Sequence, residues 1–274
     1  MATKIPYADV VWNPVTGCTK VSQGCKHCYA ERIANRKLPK GGFSSRPFTE
    51  VRAHPERLFI PLHWRKPRVV FVNSMGDLFH EDVPDGFIDR VFVVMAASPQ
   101  HTFLVFSKRG ERRQSYCSTP FRPTTIAALC NFELALQASH PDSPRLLGKY
   151  KRQGFVPWPL PNVVQIVSVE DQETLDERVP ILRQTPAAMR GVSLEPQIGD
   201  VGAPNLDGIS WLVQGCESGP QKRLWDWGWA RSVRDQCVAA RVPYYFKQAT
   251  VNGKVVLLPE LDGKTWEQTP WWRP

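Results

Sequence analysis

The stretch from Gly17 to Arg32, GCTKVSQGCKHCYAER, sets Cys18, Cys25 and Cys28 in the order C-x6-C-x2-C. Thiolates are metal ligands, and the two-residue spacer puts Cys25 and Cys28 on a single turn of chain. Gly17 and Gly24 stand immediately before the first two cysteines. Glycine allows the backbone angles with which a loop wraps closely around a bound group. A run of helical character, Tyr29 to Arg36, follows at once, so Cys28 is expected near a helix start, where partial positive charge favours a thiolate. A tetrahedral zinc site needs a fourth ligand. His27 is badly placed for it, because neighbouring side chains on such a turn diverge, whereas Cys216 could close the site from across the fold. An iron–sulfur cube held by three cysteines is the other solution, and it leaves one iron open to a chelating molecule.

Such a loop must be carried by a frame, and the chain supplies one. Short apolar, β-branched runs recur at Val69 to Asn73, Thr102 to Phe106, Val163 to Val169, Gly191 to Leu194, Trp211 to Val213 and Pro243 to Phe246, with a first candidate at Val10 to Trp12. They are apolar on both faces, as buried parallel strands are. Helical stretches alternate with them at Gly86 to Ala97, Leu175 to Gln184 and Trp229 to Ala240. Strand then helix, repeated, predicts an α/β fold: a partial or complete parallel (βα) barrel in one domain spanning residues 1–274. No glycine-rich phosphate loop follows any strand, which counts against a doubly wound nucleotide fold. Residues 111–162 break the rhythm and read as an insertion, with one helix near Thr124 to Gln137 and a basic patch at Arg145, Lys149, Lys151 and Arg152.

Polar residues gather where the apolar runs end: Ser74 and Asp77; Ser107, Lys108 and Arg109; Ser168, Glu170 and Asp171; Ser193 and Glu195; Glu217 and Ser218; Lys247 and Gln248. In a barrel these endings converge on one mouth, where barrel active sites lie. Lys108 and Lys247 are candidates to hold a carboxylate or phosphate, and equally to neutralise Asp77, Glu170, Glu195 or Glu217 internally. Asp77, Asp171 and Ser218 also suit helix caps. Trp12, Tyr29 and the run RLWDWGW (223–229) are candidates for base stacking or for core packing.

The seven cysteines are odd in number and unevenly spread, which argues against a disulfide framework. With 35 Lys and Arg against 26 Asp and Glu, the formal net charge is +9 and the pI near 9.3, favouring a polyanionic partner such as nucleic acid. The first residues lack the pattern of a secretory signal and no apolar run reaches membrane-spanning length, so a soluble, intracellular protein is expected, with no membrane partner.

The stretches WNPVTGCTKVSQGCKHCYAER, VFVNSMGDLFHEDVP, VFSKR, PNVVQIVSVEDQETLDERVPIL, VSLEPQIG, WLVQGCESGP and VPYYFKQ together resemble a family of phage and prophage proteins grouped with the radical S-adenosylmethionine (SAM) enzymes. The resemblance spans most of the chain outside 111–162. It implies a partial βα barrel, a [4Fe-4S] cluster on Cys18, Cys25 and Cys28, and SAM chelated to the open iron. An external electron donor then drives carbon–sulfur cleavage, and the resulting radical abstracts hydrogen from substrate. It also implies a phage-encoded protein working in the cytoplasm of a bacterial host. Tyr29, Asp77, Glu170, Glu195 and Glu217 become candidates for holding the cofactor, and Lys108, Lys247 and Cys216 for catalysis. The first spacer is three residues longer than the C-x3-C-x2-C most common in that superfamily, and Cys216 replaces a glycine of the relatives' GGESG. That leaves Cys216 as a fourth ligand, a hydrogen-atom donor or a small buried residue. The expected substrate is a nucleic acid or nucleotide, in modification or repair. A metal-stapled nucleic-acid-binding protein without catalysis, and a barrel enzyme using Asp77, Glu170, Glu195 and the two lysines for acid–base work, are the alternatives.

Overall fold

The computed structural model describes residues 3–35, 46–138 and 156–271. The basic patch at 145–152 lies outside them. The apolar runs form β1 (Val10–Trp12), β4 (Val69–Val72), β5 (Thr102–Ser107), β6 (Val163–Val169), β7 (Met189–Leu194), β8 (Trp211–Gly215) and β9 (Tyr244–Val251), which pair in that order and all in parallel. β10 (Lys254–Leu257) turns back antiparallel on β9. The sheet ends at β1 on one side and β10 on the other, so the fold is a curled half-barrel rather than a closed one. A separate short antiparallel pair, β2 (Val15–Thr16) with β3 (Arg52–Ala53), follows β1.

Helices cover the outer face: α2 (Asp85–Ala96), α3 (Gly110–Ser118), α4 (Arg122–Ala138), α5 (Gln172–Gln184) and α6 (Trp227–Ala239). In α2 the apolar positions Phe87, Ile88, Val91, Phe92 and Met95 recur at helical spacing and pack on the outward residues of β1, β4 and β5. Asp171 caps α5 by accepting from the Thr174 amide at 3.0 Å, so the helix-cap reading of Asp171 is the one the fold uses. α3 brings residues 110–118 into the regular helical layer, and the departure from strand–helix rhythm begins only after it, with α4. Arg113, fully buried in α3, reaches across to donate to the Ile166 carbonyl at 2.9 Å.

The alternate residues of the same strands face the concave side and form a second core of Phe71, Leu104, Phe106, Ile166, Trp211, Val213 and Tyr245, joined by Tyr7 and Trp271 from the chain ends. Phe71 and Phe106 stack at 4.2 Å, and Trp271 sets its ring edge-on to Trp211 at 4.8 Å. Among the described residues the lower part of the half-barrel's concave side is therefore filled, which leaves the carboxyl ends of the strands open. No helix among the described residues is long and apolar enough to cross a membrane.

Candidate active site

The loop between β2 and α1 (Tyr29–Ala34) carries all three clustered cysteines and lies over the strand ends. Its start is pinned by backbone pairing: the Gly17 amide donates to the Met75 carbonyl at 2.9 Å and the Cys18 amide to Phe48 at 3.0 Å. Gly17 has a φ of 90°, and a Cβ there would stand 2.3 Å from the Glu50 carbonyl oxygen, so only glycine fits. The loop then makes a 3-10 turn over Gln23–Cys25. Here Gly24 lies so close to Glu170 that a Cβ would meet its Cγ at 2.2 Å. The two glycines flanking the cysteines thus serve different needs, one conformational and one of close approach.

Each cysteine has its own set of neighbours. Arg109 donates to the Cys18 sulfur at 3.4 Å through Nη1 and to Thr19 at 3.0 and 3.2 Å through Nη2. Burial pushes the Cys18 thiol up to about 12, with nearby Asp77 adding to the rise and Arg109 opposing it. Burial also opposes the Cys25 thiolate. The ammonium of Lys108 and hydrogen bonding at Val21 and Ser22 outweigh it and lower that thiol below its ordinary value. Cys28 stands at the N-cap of α1, with backbone hydrogen bonding from Ala30 and Glu31 favouring its thiolate, yet burial leaves it raised. The charge of Cys25 raises both Cys18 and Cys28, so the three sulfurs share one electrostatic neighbourhood. The other four cysteines are buried, whereas these three are half-exposed.

Beneath the loop the acidic strand-end residues are paired. Asp77 accepts from Ser107 Oγ at 2.9 and 3.1 Å, from the amides of Lys108 at 3.1 Å and Phe79 at 3.0 Å, and from Arg109 Nη1 at 3.3 Å. So many donors make Asp77 the hub that positions Arg109 under Cys18. Glu170 has no exposed surface, forms an ion pair with Lys108, accepts from Arg178 Nη1 at 3.3 Å and takes the Ser22 hydroxyl of the cysteine loop at 2.9 Å. Glu195 pairs with Lys247 at 2.7 Å and accepts from the Tyr7 hydroxyl at 3.4 Å. Glu217 lies 3.2 Å from His27 of the loop and accepts from Arg223 at 2.6, 2.9 and 3.0 Å. Burial would raise its carboxyl, and the Arg223 and His27 hydrogen bonds hold it below the ordinary range.

Sequence reasoning named the strand-end residues, and the fold brings Asp77, Lys108, Glu170, Glu195, Glu217 and Lys247 to one end of the sheet, where Asp77, Lys108, Glu170 and Glu217 meet the cysteine loop or its partners. The internal-network reading of the two lysines describes their contacts as they stand. The Tyr29 ring is partly exposed, but its hydroxyl is buried where it donates to the Ser74 carbonyl at 2.7 Å, and that burial, with Cys28 and Glu195 adding, raises its pKa. Cys216 is buried beside Thr250, Glu195 and Lys247, and burial raises its thiol. Of the two readings of Trp12 and the 223–229 run, packing describes their contacts: Trp12 is 1% exposed and donates to the Arg57 carbonyl, while Trp225 and Trp227 lie against Phe246. Ser22, Arg178 and Arg223 were missed. Arg178 sits eight residues past its partner on a helix, and nothing local in the sequence marks it.

The family described as protein of unknown function, DUF5131, matches residues 2–270. The chain belongs to DUF5131. No curated protein matches it. Among solved structures, a cysteine-to-serine mutant of spore photoproduct lyase is similar to this DUF5131 chain at 11% identity and a TM-score of 0.42. That similarity covers 86% of this chain and 62% of the other, so the DUF5131 chain spans under two thirds of its length.

Among the described residues no group of three or more His, Cys, Asp or Glu side chains is gathered for a single metal ion. Three thiolates that each take a separate corner of a cube need not converge on one point. Three thiols on a glycine-locked loop, with Cys25 close enough for its charge to act on both Cys18 and Cys28 and with Arg109 and Lys108 supplying positive charge, suit such a group.

Proposed function

We propose that this chain is a radical SAM-like iron–sulfur enzyme, with a [4Fe-4S] cluster held by Cys18, Cys25 and Cys28. The observation that carries the reading is the loop itself: three half-exposed cysteines, fixed by Gly17 and Gly24 over the strand ends, each beside its own cation or amide donors. When bound, such a cluster with an open iron supplies the electron that cleaves SAM and starts hydrogen abstraction. The protein's own share is positioning and charge. Arg109, held by Asp77 and by Glu81 at 3.0 Å, fixes the Cys18 end of the loop. Ser22 ties the Cys25 turn to Glu170, and His27 ties the Cys28 end to Glu217.

Tyr29, Glu195 and Glu217 would hold the charged groups of SAM, with Lys247 in a catalytic role and an external donor supplying the electron. Cys216, beside Lys247 and Glu195, would serve as a hydrogen-atom donor. The aromatic filling of the half-barrel keeps water away from below, which radical chemistry requires. The net charge of +9 supports a nucleic acid or nucleotide as substrate, in a bacterial cytoplasm, for a phage-borne modification or repair step. Anaerobic purification followed by iron, sulfide and zinc counts, then incubation with dithionite and SAM, tests the reading. About four irons per chain with release of 5′-deoxyadenosine is expected. Zinc alone, or an iron count unaffected by loss of all three cysteines, would overturn it.

A further inference from the structure

Beside the cysteine loop, between α1 and residues 218–221, lies an open cavity of about 310 Å³ whose lining includes Lys26, Cys28, Arg32, Asn35, Ser218 and Gln221. Its charge balance is uneven. Glu31, which also lines the cavity, pairs with Lys20 at 3.1 Å, and Glu217 nearby is held by Arg223 and His27. Lys26 and Arg32 have no carboxylate partner among the described residues. The Arg32 Nε is buried without a hydrogen-bond partner, and its guanidinium lies against the backbone of Gly219, where a Cβ would come within 2.5 Å of Nη1. The side chains of Asn35, Ser218 and Gln221 likewise make no hydrogen bond to the described residues. One hollow thus gathers two cations and three polar side chains that no protein group among the described residues engages, and the unpartnered Arg32 Nε is buried beside it.

We propose that this cavity is a phosphate-binding site. A carboxylate is satisfied by one guanidinium fork, whereas a phosphate presents additional oxygens that need further donors. The ammonium of Lys26, the Ser218 hydroxyl and the two carboxamides are such donors. The volume falls at the lower end of the range of about 300–1,000 Å³ for small-ligand sites, enough for a phosphate with part of its sugar. The phosphate comes either from a free nucleotide or from the backbone of a single strand. The site deepens the proposed reading by saying how a polyanionic substrate is gripped, but it rests on Lys26 and Arg32 and not on the cluster.

The test is calorimetric titration of anaerobically purified protein with AMP, with an oligothymidylate of eight nucleotides and with adenosine. AMP or the oligonucleotide should bind and adenosine should not. Tighter binding of AMP identifies a free nucleotide as the source, and tighter binding of the oligonucleotide identifies a strand. Arg32→Gln and Lys26→Gln should each weaken the phosphate ligand by about tenfold, the worth of one charge-assisted hydrogen bond. Lys254→Gln removes the same charge on β10 and should change affinity less than about twofold. Adenosine binding as well as AMP, equal weakening by Lys254→Gln, or no binding of either phosphate ligand overturns the proposal. So does a variant Arg32→Gln that loses iron while keeping affinity, since the cation would then serve the cysteine loop. Zinc in place of iron with AMP binding intact would sink the cluster reading and leave this one standing.

Discussion

Replacing Gly24 by alanine tests whether Glu170 shapes the cysteine loop. The new methyl would fall 2.2 Å from Glu170 Cγ and 2.6 Å from Cδ and Oε1. Carbon atoms rest at about 3.5–4.0 Å, so at least about 1.3 Å of room must be found. Glu170 cannot give way cheaply, because it is fully buried between Lys108 and Arg178, and breaking a buried ion pair costs about 3–5 kcal/mol. Lifting the loop instead sacrifices the Ser22 to Glu170 hydrogen bond, worth about 1.5–3 kcal/mol because the acceptor is charged. The loop should therefore move, at a cost of about 2 kcal/mol, which for a chain of this size lowers the melting midpoint by about 4–8 °C. Cys25 moves with it, so the iron retained after anaerobic reconstitution should fall. Gly86→Ala is the matched control: nothing lies within 4 Å of its Cβ position in α2, and the change should add about 0.5–1 kcal/mol. A Gly24→Ala protein that melts with the wild type and retains its full iron would refute the reasoning.

Three further outcomes are expected. Cys25→Ala should abolish the visible absorption of the reconstituted protein while Cys117→Ala, which alters a buried thiol in α3, leaves it unchanged; identical spectra would remove the ligand assignment. His54 is buried against Thr16 at 2.7 Å, and burial lowers its pKa despite a hydrogen bond to Glu56, so the folded state resists a proton that the unfolded chain accepts near pH 6.5. Its contribution is thus complete above about pH 6.5 and declines as the pH falls below that value. The drop in urea midpoint between pH 7.5 and 5.5 should shrink in His54→Gln, and an unchanged drop would exclude this role. Trp271→Ala, by emptying the edge-on contact with Trp211, should destabilise by about 3–5 kcal/mol in urea titration, whereas a loss under about 1 kcal/mol would show that the concave core does not depend on it.

The half-barrel could be read in the chain because its strands are buried on both faces, and continuous runs such as Val163 to Val169 need no partner to be recognised. The convergence of Asp77, Glu170, Glu195 and Glu217 was legible for the same reason: each follows a strand, and parallel strands end together. Their pairings were not. Glu170 meets Ser22 from 148 positions away and Glu217 meets His27 from 190, and no local pattern encodes contacts made only when a loop crosses the strand ends. The final hairpin did carry a signal, since Asn252 and Gly253, both at positive φ, are the residues a tight β-turn demands. The strand reading stopped at Phe246 without using that signal, and β9 runs on to Val251.

Among the described residues, Tyr7, Phe71, Phe106, Trp211 and Tyr245 occupy the hollow of the sheet, so the space at the strand ends is a dish with a floor. On the proposed reading, reactant and product would share one doorway, and the group altered there would be a single protruding unit of something larger whose bulk stays outside.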